Sequence, residues 1–181
     1  MERDKIRQFS IEQPTIEDVE GLLTMHVQSW FDAYPNESLG IDKSYIAKRM
    51  ERLTSEKGRA KRAEIIRDAA TNSNHYMQLA RAKDGIVVGF VDAKIHDGIY
   101  ELEGLYIDKS TYGSGLAHQL TDGALDFLGR DNEIRLTVVA YNARAQKFYH
   151  KMGFEIVEGS EHLHKDTIIP VVDMIRKGDT R

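Results

Sequence analysis

The sequence contains no cysteine and only three prolines among its 181 residues. Without cysteine there can be no disulfide framework, no thiolate nucleophile and no thiolate-ligated zinc site. Few prolines and no biased tract give no sign of a long disordered region or an interdomain linker. Basic and acidic residues number 25 and 29, and the net charge of −4 is too small to predict binding to nucleic acid or to an anionic membrane.

Long hydrophobic runs are also lacking, and no stretch approaches the length of a membrane span. The charged residues of Met1–Lys5 are not followed by the apolar segment of a signal peptide. The apolar share of 41% and the charged share of 30% are those of an ordinary globular chain. We therefore expect a cytoplasmic protein that folds as a single domain over residues 1–181.

Hydrophobic periodicity predicts a chain that mixes strands and helices. The predicted strands cover residues 6–13, 76–82, 86–95, 99–107, 134–140, 154–159 and 167–175. The predicted helices cover residues 15–34, 42–70 with a break near Gly58, 115–129 and 142–152. Asp-Gly turns at 84–85 and 97–98 join three strands into an antiparallel meander. The predicted fold class is α/β of the α+β type, with a mixed, mostly antiparallel sheet of about seven strands flanked by about four helices.

A glycine-bearing loop lies between a predicted strand and a predicted helix. It consists of Tyr112, Gly113, Ser114, Gly115, Leu116 and Ala117. Glycines let backbone N–H groups converge, and the helix N-terminus adds a positive dipole, so the loop suits a phosphate or pyrophosphate. A plain strand-to-helix turn would explain the glycines equally well. Neither glycine precedes a lysine, which argues against a Walker loop, and His118 occupies the place of a small residue in a Rossmann fingerprint.

Two further segments carry a recognisable pattern. Residues 142–154 read N-A-R-A-Q-K-F-Y-H-K-M-G-F, and residues 101–107 read E-L-E-G-L-Y-I. Period two predicts that Glu101 and Glu103 share one strand face with Leu105 and Ile107. The alternative interpretation is that these carboxylates lie near the exposed start of the strand and are merely solvated.

Together the three segments resemble the GNAT superfamily of acetyl-CoA-dependent N-acetyltransferases, and the resemblance covers most of the chain. The loop is similar to the family's pyrophosphate signature, Gln/Arg-x-x-Gly-x-Gly/Ala, except that Tyr112 replaces the usual Gln or Arg. The resemblance implies acetyl-CoA as the co-substrate and no metal. The residues that it assigns to coenzyme binding are Leu105, Tyr106, Ile107, Tyr112, Gly113, Ser114, Gly115, Leu116, Ala117, Asn142 and Lys147.

The resemblance also implies the catalytic groups. Glu101, eleven residues before Tyr112, matches the family's general base, and Glu103 is the alternate. Tyr149 would protonate the departing thiolate, since a phenol is protonated at neutral pH. The meander strand 101–107 would splay from strand 134–140 so that the pantetheine arm occupies the opening. The amide of Leu105 would then face the thioester oxygen.

The acceptor is expected to be a primary amine, and the sequence of the first helix indicates which kind of amine. Residues 26–34 resemble the PaiA-like branch, which is associated with polyamine acetylation, and Trp30, Tyr34 and Glu103 are predicted to line the acceptor pocket. We therefore expect a small-molecule acceptor such as a polyamine. The alternatives are a protein N-terminal or lysine acetyltransferase and a non-catalytic acyl-CoA-binding module. No membrane or nucleic-acid partner is expected, and a homodimer is left open.

Two other features are given structural interpretations. Residues 43–67 hold nine basic side chains against three glutamates, which favours a solvated helix face over a phosphate or RNA surface. In the family this region covers the acceptor pocket. His162 and His164 are interpreted as surface histidines, since no carboxylate lies at a matching spacing for a metal site.

Overall fold

The computed structural model describes residues 9–179 as an eight-stranded sheet with five α-helices. The strands are β1 (Phe9–Glu12), β2 (His75–Ala82), β3 (Val87–His96), β4 (Ile99–Ile107), β5 (Ile134–Val139), β6 (Glu155–Ile156), β7 (His162–Leu163) and β8 (Pro170–Arg176). The helices are α1 (Val19–Ala33), α2 (Lys43–Thr54), α3 (Glu56–Thr71), α4 (Leu116–Leu128) and α5 (Ala143–Lys151). Short 3₁₀ turns precede α1, α2 and α4.

The sheet has the order β1-β2-β3-β4-β5-β8-β6, and β7 also pairs with β8. In this part of the chain β4 and β5 pair in parallel, and every other pairing is antiparallel. The predicted fold class is therefore confirmed. The predicted meander is formed by β2, β3 and β4, and its second turn has positive φ at both Asp97 and Gly98, as a type I′ hairpin requires.

The parallel pair β4–β5 is joined over two positions only. Tyr100 lies opposite Ile134 and Glu101 opposite Arg135, and the ladder stops there. Beyond these positions the two strands separate, although both are central in the sheet order. The splay predicted between these strands is thus present, and it leaves backbone groups of β4 and β5 available to a ligand.

A β-bulge at Glu103 changes the facing of β4. Ala93 pairs with Leu102 and Asp92 pairs with Gly104, so Glu103 is an extra residue between them. The bulge reverses the alternation, and Leu102 and Leu105 both reach the core cluster against α4. Glu101 therefore lies on the face opposite Leu105. The prediction that the two share a face was wrong, because simple period two does not allow for a bulge.

Several element boundaries also differ from the sequence-based expectation. The helical stretch 42–70 breaks at Ser55 rather than near Gly58, because the Ser55 hydroxyl accepts a hydrogen bond from the Gly58 amide at 3.1 Å and caps α3. The strand predicted over 154–159 is shortened to β6, and β7 was not predicted. Residues 6–8 of the predicted first strand lie outside the described residues.

Three clusters of buried apolar side chains hold the layers together. The largest packs α4 and α5 against one face of the sheet, with Phe154 and Met174 fully buried. A second packs α1 and α3 against β2 and β3 on the other face. The third joins α1 and α2 to the ends of β5 and β8 around Trp30 and Ile46. Among the described residues, no helix combines the length and apolarity needed to cross a membrane.

His75 ties α3 to the sheet through two carboxylates. Its Nδ1 lies 2.6 Å from an oxygen of Asp68 on α3, and its Nε2 lies 2.8 Å from an oxygen of Asp92 on β3. Burial opposes the charged ring, but the hydrogen bonds to Asp92 and Asp68 outweigh it and raise the pKa of His75 above its usual value. The charged imidazole can donate to both carboxylates at once.

We predict that this link makes stability depend on pH. A raised folded-state pKa gives stabilisation that is complete below the unfolded value, near 6.5, and is lost as pH rises through the folded value. The His75→Gln variant should lose about 1–3 kcal/mol of unfolding free energy at pH 6. The deficit should shrink by pH 9, as measured by urea unfolding. The exposed His150→Gln is the control, and a deficit that stays constant from pH 6 to 9 would contradict the prediction.

Candidate active site

A cavity of about 660 Å³ begins at the glycine loop, passes through the gap between β4 and β5, and ends beneath α1. Most of the residues predicted for the site line it. They are Trp30, Tyr34, Glu103, Leu105, Tyr106, Ile107, Tyr112, Gly113, Gly115, Leu116, Ala117, Asn142 and Tyr149. One continuous space therefore joins the predicted coenzyme, catalytic and acceptor residues.

The glycine loop forms an open backbone surface at the start of α4. Gly113 and Gly115 have φ values of 79° and 88°, a left-handed conformation that favours glycine. Where a Cβ would stand on either residue, no described atom lies within 4 Å, so a ligand can approach the backbone closely. Gly115 also occupies the N-cap of α4 and has no side chain with which to cap it. These features suit a pyrophosphate.

Arg144 on α5 supplies a cation beside this loop. Its guanidinium stacks on the Tyr112 ring at 4.0 Å from the ring centroid, and both residues line the cavity. The replacement of Gln or Arg at position 112 is thus accompanied by a positive charge brought in from another helix. A stacked arginine can still donate hydrogen bonds to phosphate oxygens through its edge.

Tyr149 and Asn142 flank the gap from α5 and its N-terminus. Tyr149 is buried, and burial together with Tyr106 raises the pKa of its phenol well above the usual value. It is therefore protonated at neutral pH and can act as a proton donor. The Asn142 side-chain oxygen caps α5 by accepting from the Ala145 amide at 3.1 Å, which leaves its NH₂ group for a ligand.

The two carboxylates of β4 have different surroundings. Glu103, the bulge residue, lines the cavity and lies 2.9 Å from Lys94 Nζ. Glu101 is not among the residues that line the cavity, and its carboxylate lies 3.0 Å from His96 Nε2. The alternate carboxylate, Glu103, rather than the first choice, Glu101, therefore lines the cavity.

Those two glutamates and His96 also place potential metal-ligand atoms within 4.8 Å of one another. Lys94 already pairs with Glu103, and a cation at this position opposes the binding of a metal ion. The partners of both carboxylates are thus accounted for by protein groups. We assign no metal role to this cluster.

Aromatic rings form the acceptor end of the cavity. Trp30 packs on Tyr34 with ring centroids 4.6 Å apart, and His164 approaches Trp30 at 6.3 Å. Burial and the neighbouring phenol of Tyr106 raise the pKa of the Tyr34 phenol. Burial and the charge of Arg49 lower the pKa of His164, so its ring is neutral at pH 7. An amine entering here meets neutral aromatic groups.

The predicted site residues and the residues that line the cavity differ at a few positions. Ser114 and Lys147 do not line the cavity, although both were predicted to bind the coenzyme. Lys147 is exposed on α5, and Ser114 instead accepts a hydrogen bond from the Leu116 amide at 3.3 Å. Arg144 and His164 were missed. Arg144 lies within the recognised segment 142–154, so that segment offered a signal, whereas His164 reaches the site only through the packing of β7 and β8.

Comparison with known proteins places this architecture in a family. Residues 30–154 match the model of the Acetyltransferase (GNAT) family. That match covers more than half of the chain, and the chain therefore belongs to the GNAT family. It is by class an acetyl-CoA-dependent N-acetyltransferase. Among curated proteins, none matches this sequence.

Solved structures share the fold over nearly the whole chain. A PaiA N-acetyltransferase from Thermoplasma acidophilum in complex with coenzyme A superposes with a TM-score of 0.75 at 24% identity, covering 93% of this chain and 98% of that one. A GNAT-family acetyltransferase from Streptococcus pneumoniae gives 0.69 at 18% identity, with coverages of 95% and 100%. A spermidine N-acetyltransferase SpeG chimera from Vibrio cholerae and hSSAT gives 0.61 at 16%, with coverages of 94% and 95%.

We predict that Gly115 is required for coenzyme binding. An alanine there must adopt positive φ, which costs about 1–2 kcal/mol, and its methyl group would enter the space beside the loop backbone. Gly115→Ala should weaken coenzyme A binding by roughly tenfold or more, measured by calorimetry. Gly98→Ala is the matched control, since Gly98 has φ of 76° in open space at the distant β3–β4 turn. Equal affinities of the two variants would contradict the prediction.

Proposed function

We propose that the protein transfers the acetyl group of acetyl-CoA directly to the primary amine of a small molecule. The observation that carries the proposal is the single cavity in which the glycine loop, the β4–β5 gap, Tyr149 and Glu103 meet. An extended arm lying in the gap would place its thioester between the loop and the acceptor end. The chain has no cysteine that could carry the acetyl group as a thioester, and in this proposal the amine itself is the nucleophile.

In this mechanism Glu103 accepts a proton from the incoming ammonium, directly or through one water molecule. The freed amine attacks the thioester carbonyl carbon, and the amide of Leu105 would donate to the developing oxyanion. The C–S bond then breaks, and Tyr149 gives its proton to the departing thiolate. The raised pKa of Tyr149 keeps that proton in place until the thiolate forms. The second proton, which the acylated nitrogen loses, returns to the Tyr149 oxygen directly or through water.

The acceptor end supports a small molecule over a polypeptide. Trp30 of α1 and Tyr34, which directly follows that helix, line this end of the cavity together with His164 and Ile169 before β8. A protein segment needs a long open groove, and we expect these four side chains to restrict its entry. A polyamine is one small amine to test, because the comparisons include a protein named as a spermidine N-acetyltransferase. Glu103 is, however, the one carboxylate among the described residues that line the cavity.

We expect Glu103→Gln to reduce kcat by roughly 100-fold or more, because the amide cannot accept the proton. The matched change Glu101→Gln, two residues away on the same strand, should leave kcat within about twofold, since that carboxylate does not line the cavity. Thiol release from acetyl-CoA across a panel of amines, amino acids and peptides measures both. A larger loss in Glu101→Gln would assign the base to Glu101, as the family resemblance implies.

Tyr149→Phe should lower kcat by roughly 100-fold, because the ring still fills its buried site but the proton donor is gone. Coenzyme A affinity should stay within about twofold of the original, as measured by calorimetry. Tyr100→Phe removes a hydroxyl from β4 outside the cavity and is the control. If transfer is unaltered in both Tyr149→Phe and Glu103→Gln while coenzyme binding persists, the proposed catalytic roles fail. A protein that binds no coenzyme A at all would overturn the proposed function.

A further inference from the structure

A second cavity, of about 530 Å³, lies between α1, α2 and the first half of α3. Five of the side chains that line it are basic, and none of the described residues lining it is acidic. The basic residues are Arg49, Arg52, Lys57, Lys61 and Arg62. They belong to the cation-rich stretch 43–67, for which the sequence favoured a solvated helix face. Arg52, Lys57 and Lys61 are exposed, as that interpretation expects, and Arg52 and Lys61 pair with Asp166 and Glu64, but Arg62 is buried.

Arg62 departs furthest from a solvated position. It is only 7% exposed, and its buried Nε has no hydrogen-bond partner among the described residues. Asp92 attracts the guanidinium, but that carboxylate is already hydrogen-bonded to His75 at 2.8 Å. A buried cation with an unpaired donor is costly unless a ligand completes its hydrogen bonds.

The polar contact between Arg62 and His26 does not satisfy the guanidinium either. Arg62 Nη2 lies 2.9 Å from His26 Nδ1, while Trp30 Nε1 lies 3.0 Å from His26 Nε2. Burial and the charge of Arg62 lower the pKa of His26 to about 3, so the ring is neutral at pH 7. A neutral imidazole has a single acceptor nitrogen. Arg62 and Trp30 therefore compete for one lone pair, and the guanidinium keeps unused donor capacity.

We propose that this basic cavity binds an anionic group, a carboxylate or a phosphate, with Arg62 as its buried ligand. Arginine suits this role because its planar group offers paired donors to two oxygens of the same anion. Arg49 and Lys61 would hold the anion from the more exposed side. An anion here would satisfy the free Nε and would leave His26 to accept from Trp30.

The position of Trp30 connects this site to acetyl transfer. Its side chain lines both the basic cavity and the acceptor end of the active site. The anion could thus be the acid group of the acceptor itself, extending past Trp30, or a separate small anion. In either case the five cations repel a polycation, which argues against a polyamine acceptor. Only the link to acceptor choice rests on the proposed function; anion binding stands by itself.

Trp30 is the single tryptophan of the chain, so its fluorescence reports on the wall between the two cavities. The protein is first saturated with coenzyme A to occupy the glycine loop, and inorganic phosphate is then titrated at constant ionic strength. We expect a saturable fluorescence change. Arg62→Gln should weaken the affinity for phosphate by roughly tenfold or more. Arg67→Gln, which removes an exposed charge from the same helix, should leave that affinity unchanged.

Should Arg62→Gln fail to fold, the double change Arg49→Gln with Lys61→Gln tests the same site through more accessible residues. Loss of the phosphate response in either folded variant supports the proposal. The absence of a saturable response in the unaltered protein overturns it, as does an unchanged response in the folded variants. If coenzyme A does not bind, the proposed function fails, but the phosphate titration still decides on the anion site through its dependence on Arg62.

Acetyl transfer to O-phosphoethanolamine and to ethanolamine distinguishes the two sources of the anion. An acceptor-borne anion predicts a kcat/KM roughly tenfold or more higher for O-phosphoethanolamine, with inorganic phosphate as its competitor. A separate anion predicts that phosphate changes Trp30 fluorescence without competing with ethanolamine. Neither result is expected if the cavity binds no anion.

Discussion

The incomplete pairing of β4 with β5 is the constraint on which the rest of the site depends. Two central strands of a sheet normally satisfy each other's backbone groups, yet these are paired over two positions and then separate. The sheet survives because each strand keeps a full antiparallel ladder on its other side, β3 for β4 and β8 for β5. The gap is thus held open by the surrounding structure, and the elements that follow each strand, the glycine loop and α5, meet across it.

Burial controls the chemistry on either side of that gap. The phenol of Tyr149 lies in an apolar setting that holds its proton, whereas Glu103 sits at a bulge where its carboxylate is partly exposed and paired with Lys94. In the proposed mechanism these different surroundings would make Tyr149 the proton donor and Glu103 the proton acceptor of one cavity. Charge is distributed unevenly as well. The acceptor end is aromatic and nearly neutral, while the cations of α2 and α3 gather behind Trp30 around a separate cavity.

The fold was largely predictable because its signals are local. Asp-Gly turns, β-branched strands and capped helices can each be recognised from a few consecutive residues. The order of these elements then predicts the mixed sheet. The glycine loop and the segment 142–154 can likewise be recognised as motifs from residue type and spacing alone. The failures have equally specific causes. The position of the helix break depends on a single side-chain hydrogen bond, which the Ser55 hydroxyl accepts from the Gly58 amide. Strand β7 has only two residues, which are too few to show a period.

The sequence by itself determined the family, the coenzyme and the type of reaction, since these rest on short motifs whose residues act through backbone geometry. Only the tertiary structure decided which carboxylate lines the cavity, because Glu101 and Glu103 both fit the residue pattern and differ only in what surrounds them. A one-residue bulge likewise decided that Glu101 faces away from Leu105. The tertiary structure also brought Arg144 onto Tyr112 and buried Arg62 beside His26, contacts between residues separated by 32 and 36 positions in the chain. Periodicity predicts which residues of one segment share a face, but it does not predict which residues of a distant segment pack against that face.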